Sequence, residues 1–342
     1  MFKHVLAQPG LEPWHLSDDA LRSFISTVRS AYHRLNPYHN FRHAVDVLQA
    51  LFYFTLSSSA LPSFAGDHLA SQRTLPSAIA DLFTPQYILA LMIVGLGHDV
   101  GHPGVNNAFL VATQAPLAVL YNDRSVLENL HGAALSRILC KHWPATQEPV
   151  MRKIILELVL STDMALHFDY MTKFSDINSL LASNELKQNA NSASISKLRL
   201  IIFAGLVKCA DICNVARPLE VSKLWSSALL REFFNQGYLE RSLGMPITKS
   251  FDPKQTVQAE SQIFFTEMFA IPLFDSLKAA LPILEPLIAQ MQSNKAYWSA
   301  MRQNTVEPNK TSSAAAGQQT DSEVLMKSPN QTGCFSVFQR KR

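Results

Sequence analysis

The chain has 342 residues, 47% of them apolar and only 17% charged, which predicts one compact globular domain with a large core. The net charge of +3 is small for this length and no basic stripe interleaves with aromatic residues, so polymeric nucleic acid is not an expected partner. The longest apolar run, residues 88 to 96, is shorter than the roughly 20 residues that a membrane-spanning helix needs.

Two helices are predicted near the start of the chain. Apolar residues recur at helical spacing between 21 and 35, behind Ser17 as an N-cap, and Pro37 stops this first helix. A second helix is predicted from residue 38 to residue 56. Residues 57 to 77 are rich in Ser, with Pro and Gly, and are predicted to be a long loop.

The middle of the chain continues the helical pattern. Four apolar stretches are each long enough for a buried helix, namely residues 85 to 97, 125 to 142, 147 to 167 and 195 to 213. None of them alternates as a half-buried strand would. The predicted fold class is therefore all-α, with the helices packed into one compact multi-helix bundle.

A further helix is predicted behind Pro218, which suits a first-turn position, and Gly237 is predicted to lie just past its end. Its apolar stripe consists of Val221, Leu224, Trp225, Ala228, Leu229 and Phe233. Such a stripe at helical spacing predicts a helix.

The end of the chain has a different composition. From residue 303 onward it is dominated by Ser, Gln, Thr and Ala, whose burial cannot offset the entropy lost on ordering. The predicted organisation is an N-terminal extension over 1–16, one domain over 17–302 and a disordered tail over 303–342. The final basic run, QRKR at 339 to 342, is either a nuclear or docking signal or simply a solvated end.

Cysteine use predicts a reducing compartment. The cysteines form neither a CxxC pair nor the dense framework of small secreted domains, and they are Cys140, Cys209, Cys213 and Cys334. The opening sequence MFKHVLAQPG does not have the pattern of a signal peptide. We therefore expect a cytoplasmic protein, with the nucleus as a further location. No feature of the sequence indicates an oligomeric state.

The first group of chemically capable side chains lies in YHNFRHAVD, residues 38 to 46. The i, i+4 spacing places His39 and His43 on one face of the predicted helix, where two imidazoles can share one site. Taken alone, each histidine is as readily a hydrogen-bonded core or surface residue as a ligand.

A second group, HDVGHPG at 98 to 104, follows an apolar helix at a point where Gly and Pro break regular structure. Unpaired charges in an apolar setting carry a large desolvation penalty, which a bound cation removes. Asp211 is similarly isolated within the apolar stretch 198 to 213, with a buried helix cap as its alternative role. His43, His98, Asp99 and Asp211 together give a mixed nitrogen and oxygen ligand set that suits zinc or another first-row divalent ion.

The two motifs YHNFRHAVDV and HDVGHPGVNN resemble those of the class I 3′,5′-cyclic nucleotide phosphodiesterases. Further stretches agree in order and spacing, namely YNDRSVLEN at 121, LSTDM at 160, KCADICN at 208, REFFNQG at 231 and ESQIFF at 260. The resemblance covers residues 17 to 300. The sequence is similar in particular to the fungal and animal enzymes specific for cyclic AMP. It implies an all-α catalytic domain of the HD-domain type that hydrolyses a cyclic nucleotide to the 5′-nucleoside monophosphate and so ends cyclic nucleotide signalling.

The resemblance also implies roles for the candidate metal residues. His43, His98, Asp99 and Asp211 are expected to hold zinc, with Asp99 bridging to a second ion, magnesium or manganese. A hydroxide shared by the two ions is expected to attack phosphorus, and His39 to give a proton to the departing 3′ oxygen. The residues expected around the second ion, through waters, are His102, Glu128, Thr162 and Asp163.

For the substrate, the resemblance implies that Gln262 reads the purine while Phe265 and Leu229 sandwich the ring, with core packing as the alternative role of these two apolar residues. Asn214 matches the position that contacts the base edge in members favouring cyclic AMP. Tyr38, which begins the YHN motif, completes the expected substrate-binding set. The expected small-molecule partner is cyclic AMP, with cyclic GMP as the alternative.

Two positions depart from the family pattern. Gly101 stands where many members carry the second Asp of HDxDH, and Ser222 stands where animal members often have a pocket tyrosine. A metalloprotease reading of HDVGH as a variant of HExxH is disfavoured, because Gly101 and Pro103 break the helix that this motif needs. Two alternatives remain open: another HD-type metal phosphohydrolase, or an inactive relative that sequesters cyclic nucleotide.

Overall fold

The computed structural model describes residues 1–64, 75–182 and 192–306. Within these ranges the chain forms α-helices joined by turns and short 3₁₀ segments and contains no β-strand, which confirms the predicted all-α fold. In chain order the helices are α1 Phe2–Leu6, α2 Asp18–Ala31, α3 Phe41–Ser57, α4 Ser77–Ala80, α5 Pro85–Gly97, α6 Asn107–Ala112, α7 Pro116–Leu120, α8 Val126–His142, α9 Pro149–Leu160, α10 His167–Ala182, α11 Ser192–Asp211, α12 Leu219–Ser242, α13 Gln258–Phe265, α14 Ile271–Leu277 and α15 Glu285–Val306. No helix in the described part of the chain is long and apolar enough to cross a membrane.

Helix α5 runs through the centre of the core. Every residue from Tyr87 to Gly97 is buried, and the helix packs against α3, α9 and α11. A helix that is apolar on all sides can be buried on all sides, as α5 is. Its C-terminal end is therefore fixed in the middle of the bundle, and the chain there leads directly into His98 and Asp99.

The first residues of the chain belong to this core. Phe2, Val5 and Leu11 are buried, and the ring of Phe2 lies 6.2 Å from the rings of both Phe24 and Trp143. Trp143 also donates a hydrogen bond from Nε1 to the carbonyl of Trp14 at 2.9 Å. The segment expected as an N-terminal extension therefore packs as part of the same helical bundle.

Two further helix ends, those of α3 and α15, lie close to the predicted start of the loop and of the tail. Helix α3 continues to Ser57 and α4 begins at Ser77, but residues 65–74 of the predicted loop lie outside the described residues. Helix α15 continues to Val306, three residues past the expected start of the tail at 303. The rest of the predicted tail, with its basic end, lies outside the described residues.

Helix α3 begins at Phe41, so the prediction that it starts at residue 38 is wrong. Asn40 is the N-cap, and its side-chain oxygen accepts a hydrogen bond from the backbone N–H of Arg42 at 2.8 Å. A short polar side chain competes for the backbone in this way and sets the start of a helix. His39 consequently lies in the turn before α3 instead of on the same helix face as His43.

The prediction that Gly237 follows the end of its helix is also wrong. Gly237 lies inside α12, where a Cβ atom would stand only 2.2 Å from the carbonyl oxygen of Phe251. The helix ends at Ser242, and Gly244, with φ of +68°, adopts the left-handed conformation that often follows a helix. The glycine at 237 is therefore needed for a close approach between two segments.

The apolar stripe of α12 coincides with its buried positions only at Ala228. Val221 and Leu224 are exposed, at 41% and 71% of their surface. The buried positions of α12 are mostly polar or small and comprise Ser222, Ser226, Ala228, Glu232, Gln236, Gly237 and Glu240. This helix turns a polar face inward because that face covers a polar site instead of the hydrophobic core.

Candidate metal centre and active site

Four side chains from three parts of the chain converge where α5 ends. His43 comes from the first turn of α3, His98 and Asp99 from the end of α5, and Asp211 from the last residue of α11. One ligand atom from each of the four lies within 4.8 Å of the others. The structure therefore brings together the complete set of predicted metal ligands.

The shortest contacts in this cluster join imidazole nitrogens to carboxylate oxygens. Nε2 of His43 lies 3.0 Å from Oδ1 of Asp211, and Nε2 of His98 lies 3.2 Å from the same oxygen. Nδ1 of His98 donates to the carbonyl of Gly95 at 3.3 Å, which leaves Nε2 to face the cluster. A histidine held by a backbone carbonyl in this way presents a fixed nitrogen to a ligand.

The electrostatics of the cluster favour a positive group at its centre. Burial alone would lower the pKa of His98, but the Asp99 and Asp211 carboxylates outweigh it and hold that pKa well above its usual value. Burial likewise opposes ionisation of Asp99 and Asp211, yet the facing histidines hold both carboxyl pKa values well below their usual range. Such a group of carboxylates around one point suits a divalent cation as well as it suits protons.

One further feature tests whether a metal ion fits. Asp99 Oδ2 is buried and accepts no hydrogen bond from any described residue, although buried carboxylate oxygens are normally paired. This oxygen faces the ring nitrogens of His98 at 3.2 Å and His43 at 3.5 Å. The unsatisfied oxygen and the mixed nitrogen and oxygen donor set fit a first-row divalent ion.

His39 lies beside this cluster and is held by Glu232 of α12. Nδ1 of His39 donates to Oε1 of Glu232, and the other carboxylate oxygen accepts from the backbone N–H groups of Tyr38 and His39 at 2.9 and 3.0 Å. Burial alone would lower the pKa of His39, but the Glu232 carboxylate outweighs it and raises that pKa. The ring is therefore oriented, and its Nε2 is left free to act on a substrate.

His102 and His131 complete the imidazole group. The rings of His39 and His102 stack at 4.0 Å, and His131 stacks on the other side of His102 at 5.6 Å. Gly104 N–H donates to Nδ1 of His102 at 3.0 Å, so the neutral ring carries its proton on Nε2. Burial, followed by the charge of His39, holds the pKa of His102 well below its usual value.

The remaining residues predicted around a second ion lie near the start of α8. Glu128 accepts hydrogen bonds from Asn107 Nδ2 at 3.0 and 3.3 Å, and burial together with the charge of Asp163 raises the pKa of Glu128 to about 7. Asp163 Oδ2 accepts from Ser125 Oγ at 2.7 Å, which ties the turn after α9 to the start of α8. Thr162, in the same turn, is buried and donates to the carbonyl of Val159.

Two of the predicted substrate-binding residues contact each other directly. Asn214 Nδ2 donates to Oη of Tyr38 at 2.8 Å, while Oδ1 of Asn214 is buried without a hydrogen-bond partner among the described residues. The Tyr38 ring also lies 4.7 Å from the ring of His43. The Asn214 amide is therefore adjacent to the metal cluster and presents an acceptor that no described residue uses.

The other predicted substrate-binding residues lie on α12 and α13, which pack against one another. Gln262 is buried on α13, and Phe265 at the end of α13 stacks on Phe269 at 5.6 Å. Leu229 and Phe265 are both only half-buried, unlike core residues such as Phe274. Phe265 packs against the hydrophobic core from its edge.

Three polar residues of the site were not predicted from the sequence: Glu232, His131 and Asn107. Glu232 lies in REFFNQG, which resembles the family stretch, but nothing within the stretch distinguishes a buried acid from a solvated one. His131, whose Nε2 lies 3.6 Å from Asp99 Oδ1, follows Glu128 by three residues but lies past the end of the YNDRSVLEN stretch that carries the resemblance. Their partners are distant in sequence, so only the fold reveals them.

The comparisons with known proteins agree with this geometry. A family profile described as 3′5′-cyclic nucleotide phosphodiesterase matches residues 38–291. A cGMP-specific 3′,5′-cGMP phosphodiesterase 3 of Dictyostelium discoideum is 32% identical over 293 residues, covering 83% of this chain and 56% of the relative. The human high affinity cAMP-specific and IBMX-insensitive 3′,5′-cyclic phosphodiesterase 8A is 32% identical over 305 residues, covering 84% of this chain and 34% of the relative.

A solved structure gives the same result. The phosphodiesterase domain of Salpingoeca rosetta rhodopsin phosphodiesterase superposes with a TM-score of 0.71 at 30% identity, covering 89% of this chain and 85% of that domain. The chain spans between about a third and just over half of the two curated relatives named above. With a family profile matching most of its length, this chain belongs to the 3′,5′-cyclic nucleotide phosphodiesterase family.

Proposed function

We propose that this chain hydrolyses a 3′,5′-cyclic nucleotide to the 5′-nucleoside monophosphate at the cluster where α5 ends. The observation that carries the proposal is the convergence of His43, His98, Asp99 and Asp211, with ligand atoms within 4.8 Å, beside a histidine oriented by Glu232. Family membership supports the same reaction class. An inactive relative would not need both the full ligand set and the oriented proton donor.

The metal residues divide into two groups in this proposal. His43, His98, Asp99 and Asp211 would hold zinc, and Asp99 would also contact a second ion, magnesium or manganese. Glu128, Asp163, Thr162 and His102 would support the second ion through waters. Divalent ions held by these residues would activate a water near neutral pH and would supply positive charge for a phosphoryl group.

His39 would deliver the proton that the departing 3′ oxygen needs. Its Nδ1 is bonded to Glu232, so Nε2 is the ring nitrogen that would donate. Because Glu232 raises the pKa of His39, the ring keeps its proton near neutral pH, as a general acid must. The stacked His102 ring stays neutral and so does not compete for the same proton.

We further propose that cyclic AMP is the preferred substrate. The Asn214 amide nitrogen is engaged by Tyr38, which leaves Oδ1 as a buried acceptor in need of a donor. Adenine offers an amino donor at the position where guanine offers a carbonyl acceptor, so this oxygen favours adenine. Gln262 can present either polarity to a purine and does not decide between them. Among the relatives, one is named as cGMP-specific and another as cAMP-specific, so the choice depends on local residues.

The experiment is turnover of cyclic AMP and cyclic GMP by the purified chain with magnesium or manganese, compared with His39→Ala. His33→Ala is the matched control, because His33 is exposed in the turn just after α2. We expect cyclic AMP hydrolysis in the wild type and the control and a loss of about a hundredfold or more in His39→Ala. Tight nucleotide binding without turnover would instead identify a sequestering protein, and activity on linear phosphodiesters alone would identify another HD-type phosphohydrolase.

A further inference from the structure

The turn that follows α9 is held from outside by one buried lysine. The last carbonyl groups of a helix lack partners within the helix and must be satisfied elsewhere. Here the Lys208 ammonium, from α11, donates to the carbonyl of Ser161 at 3.0 Å and to the carbonyl of Asp163 at 3.3 Å. Lys208 therefore caps the C-terminus of α9 from a neighbouring helix, as cations favourably do at that end.

The burial of Lys208 shows that its charge is specifically accommodated. A buried ammonium is costly unless it is paired and hydrogen-bonded. The ammonium lies over the face of the Tyr170 ring at 5.4 Å, and the carboxylates of Asp211 and Asp163 favour its charged form. Burial nevertheless lowers the pKa of Lys208 to about 8, so the group remains mostly cationic at neutral pH. An apolar residue of similar length would pack there without this cost but would remove the donor to the Ser161 carbonyl and one donor to the Asp163 carbonyl, which also accepts from Leu166 N–H at 3.2 Å.

The turn that Lys208 holds leads to the acidic residues beside the metal cluster. Asp163 fixes its side chain through Ser125 Oγ at 2.7 Å and through the backbone N–H of Ala165 at 2.8 Å. Ser125 immediately precedes α8, in a left-handed conformation with φ of 42°, and Glu128 lies in the first turn of that helix. A continuous series of contacts thus runs from Lys208 through Asp163 and Ser125 to the helix that carries Glu128.

Helix α11, which carries Lys208, also carries Asp211, one of the candidate metal ligands. Lys208 and Asp211 are three residues apart on α11, so they lie on the same side of one rigid helix. Helix α11 therefore fixes at once the carboxylate of Asp211 and the turn that carries Thr162 and Asp163. This helix therefore connects the metal cluster directly to the turn that carries Asp163.

We propose that Lys208 is a positioning residue for the second metal ion. By capping α9, it keeps the carboxylates of Asp163 and Glu128 correctly placed relative to those of Asp99 and Asp211. This inference rests on the proposed function, since it concerns the same metal site. A role limited to neutralising nearby carboxylates predicts the opposite result, because removing a positive charge alone would strengthen cation binding. The sign of the change in metal affinity therefore distinguishes positioning from charge balance.

The test measures Mn²⁺ binding to the chelator-treated full chain by electron paramagnetic resonance of free Mn²⁺, without nucleotide. Lys208→Met removes the charge and keeps the length, Lys208→Arg keeps both donors and charge, and Lys173→Met is the control. Lys173 is matched because it also lies over the Tyr170 ring, at 4.2 Å, but is exposed on α10. We expect Mn²⁺ affinity to fall about tenfold or more in Lys208→Met, to recover in Lys208→Arg and to stay unchanged in the control.

A folded Lys208→Met protein that binds Mn²⁺ as tightly as the wild type, or more tightly, overturns the proposal. If that variant does not fold, Ser125→Ala breaks the same connection at its far end, and the same loss of Mn²⁺ affinity is expected there. Unchanged affinity in Ser125→Ala would equally contradict the inference. Turnover of cyclic AMP is assayed in parallel. If the proposed activity is absent, the wild type itself shows no turnover, whereas the positioning role of Lys208 is judged from Mn²⁺ affinity alone.

Discussion

The metal cluster and the proposed base-binding side of the site are held by different means. The metal cluster lies at the ends of α3, α5 and α11, and a packed core lies behind these helices. The proposed base side consists of Leu229 and Phe265, which are half-buried residues of α12 and α13, and of Asn214, which one hydrogen bond orients. We therefore expect the chemistry to be rigidly specified and the choice of base to depend on a few replaceable contacts.

The largest effect is expected on the metal side. Asp211→Ala removes the carboxylate that both His43 and His98 contact most closely and leaves Asp99 as the remaining carboxylate of the cluster. We expect turnover to fall by about a thousandfold or more, which corresponds to about 4 kcal/mol, together with loss of bound metal measured by elemental analysis. Asp169→Ala, at an exposed position of α10, is the control and should change neither quantity.

Glu232→Gln tests the connection between the two sides, because Glu232 lies on α12 but acts on His39. Activity that needs protonated His39 is lost as the pH rises through the pKa of His39. Because Glu232 raises this pKa, the wild type keeps its activity to a higher pH than a protein without the Glu232 carboxylate. In the variant the alkaline limb of the pH–rate profile should move to lower pH, with a drop in kcat of about a hundredfold. Glu220→Gln, exposed on the same helix, should leave the profile in place; an unmoved limb in Glu232→Gln would contradict the role of Glu232.

Gly237→Ala tests how closely the base side depends on the position of α12. The new Cβ would meet the Phe251 carbonyl oxygen at 2.2 Å, so α12 or the segment at 251 must shift. We expect the free energy of unfolding in urea to fall by about 2 kcal/mol and KM for cyclic AMP to rise, with Mn²⁺ binding unchanged. Asn235→Ala, exposed two residues earlier, should cost less than about 0.5 kcal/mol. Weaker Mn²⁺ binding in Gly237→Ala would show that the two sides are not separable.

The smallest expected effect concerns the orientation of Asn214. Tyr38→Phe removes the hydroxyl that engages the amide nitrogen, so the amide can present either its oxygen or its nitrogen to the base. We expect the ratio of kcat/KM for cyclic AMP to that for cyclic GMP to fall about fivefold, which corresponds to about 1 kcal/mol. Tyr53→Phe, at an exposed position of α3, should keep the ratio. An unaltered ratio in Tyr38→Phe would assign substrate choice to other residues.

The sequence predicted elements best where local pattern and tertiary role coincide. Helix α5 has the predicted bounds, Pro85–Gly97, because a continuous apolar run behind a proline has one outcome, a buried helix. The residues of the metal cluster were identifiable because polar groups in apolar surroundings need a compensating partner. Nothing comparable marks a polar residue on an already polar helix, which is why Glu232 was missed.

Helix α12 was predicted from periodicity, but its buried face does not follow the apolar stripe. The rule that an apolar stripe faces inward assumes that the interior is hydrophobic, but α12 packs over a polar site and buries Ser222, Glu232 and Gln236. Gln236 illustrates the cause, since its amide oxygen accepts from the backbone of Asn106 at 2.9 Å and its nitrogen donates to Glu240 at 2.9 Å. In sequence, Asn106 is 130 residues from Gln236 and Glu240 is 4 residues from it. The contact with Asn106, which depends on the tertiary fold, decides which face of α12 is buried.

The packing of α1 has a mechanical consequence. Phe2 and Val5 are buried, and α1 lies against α5, whose end leads into His98 and Asp99. A substitution that displaces Phe2 or Val5 would therefore disturb the surface on which α5 packs, and with it the backbone that carries His98 and Asp99.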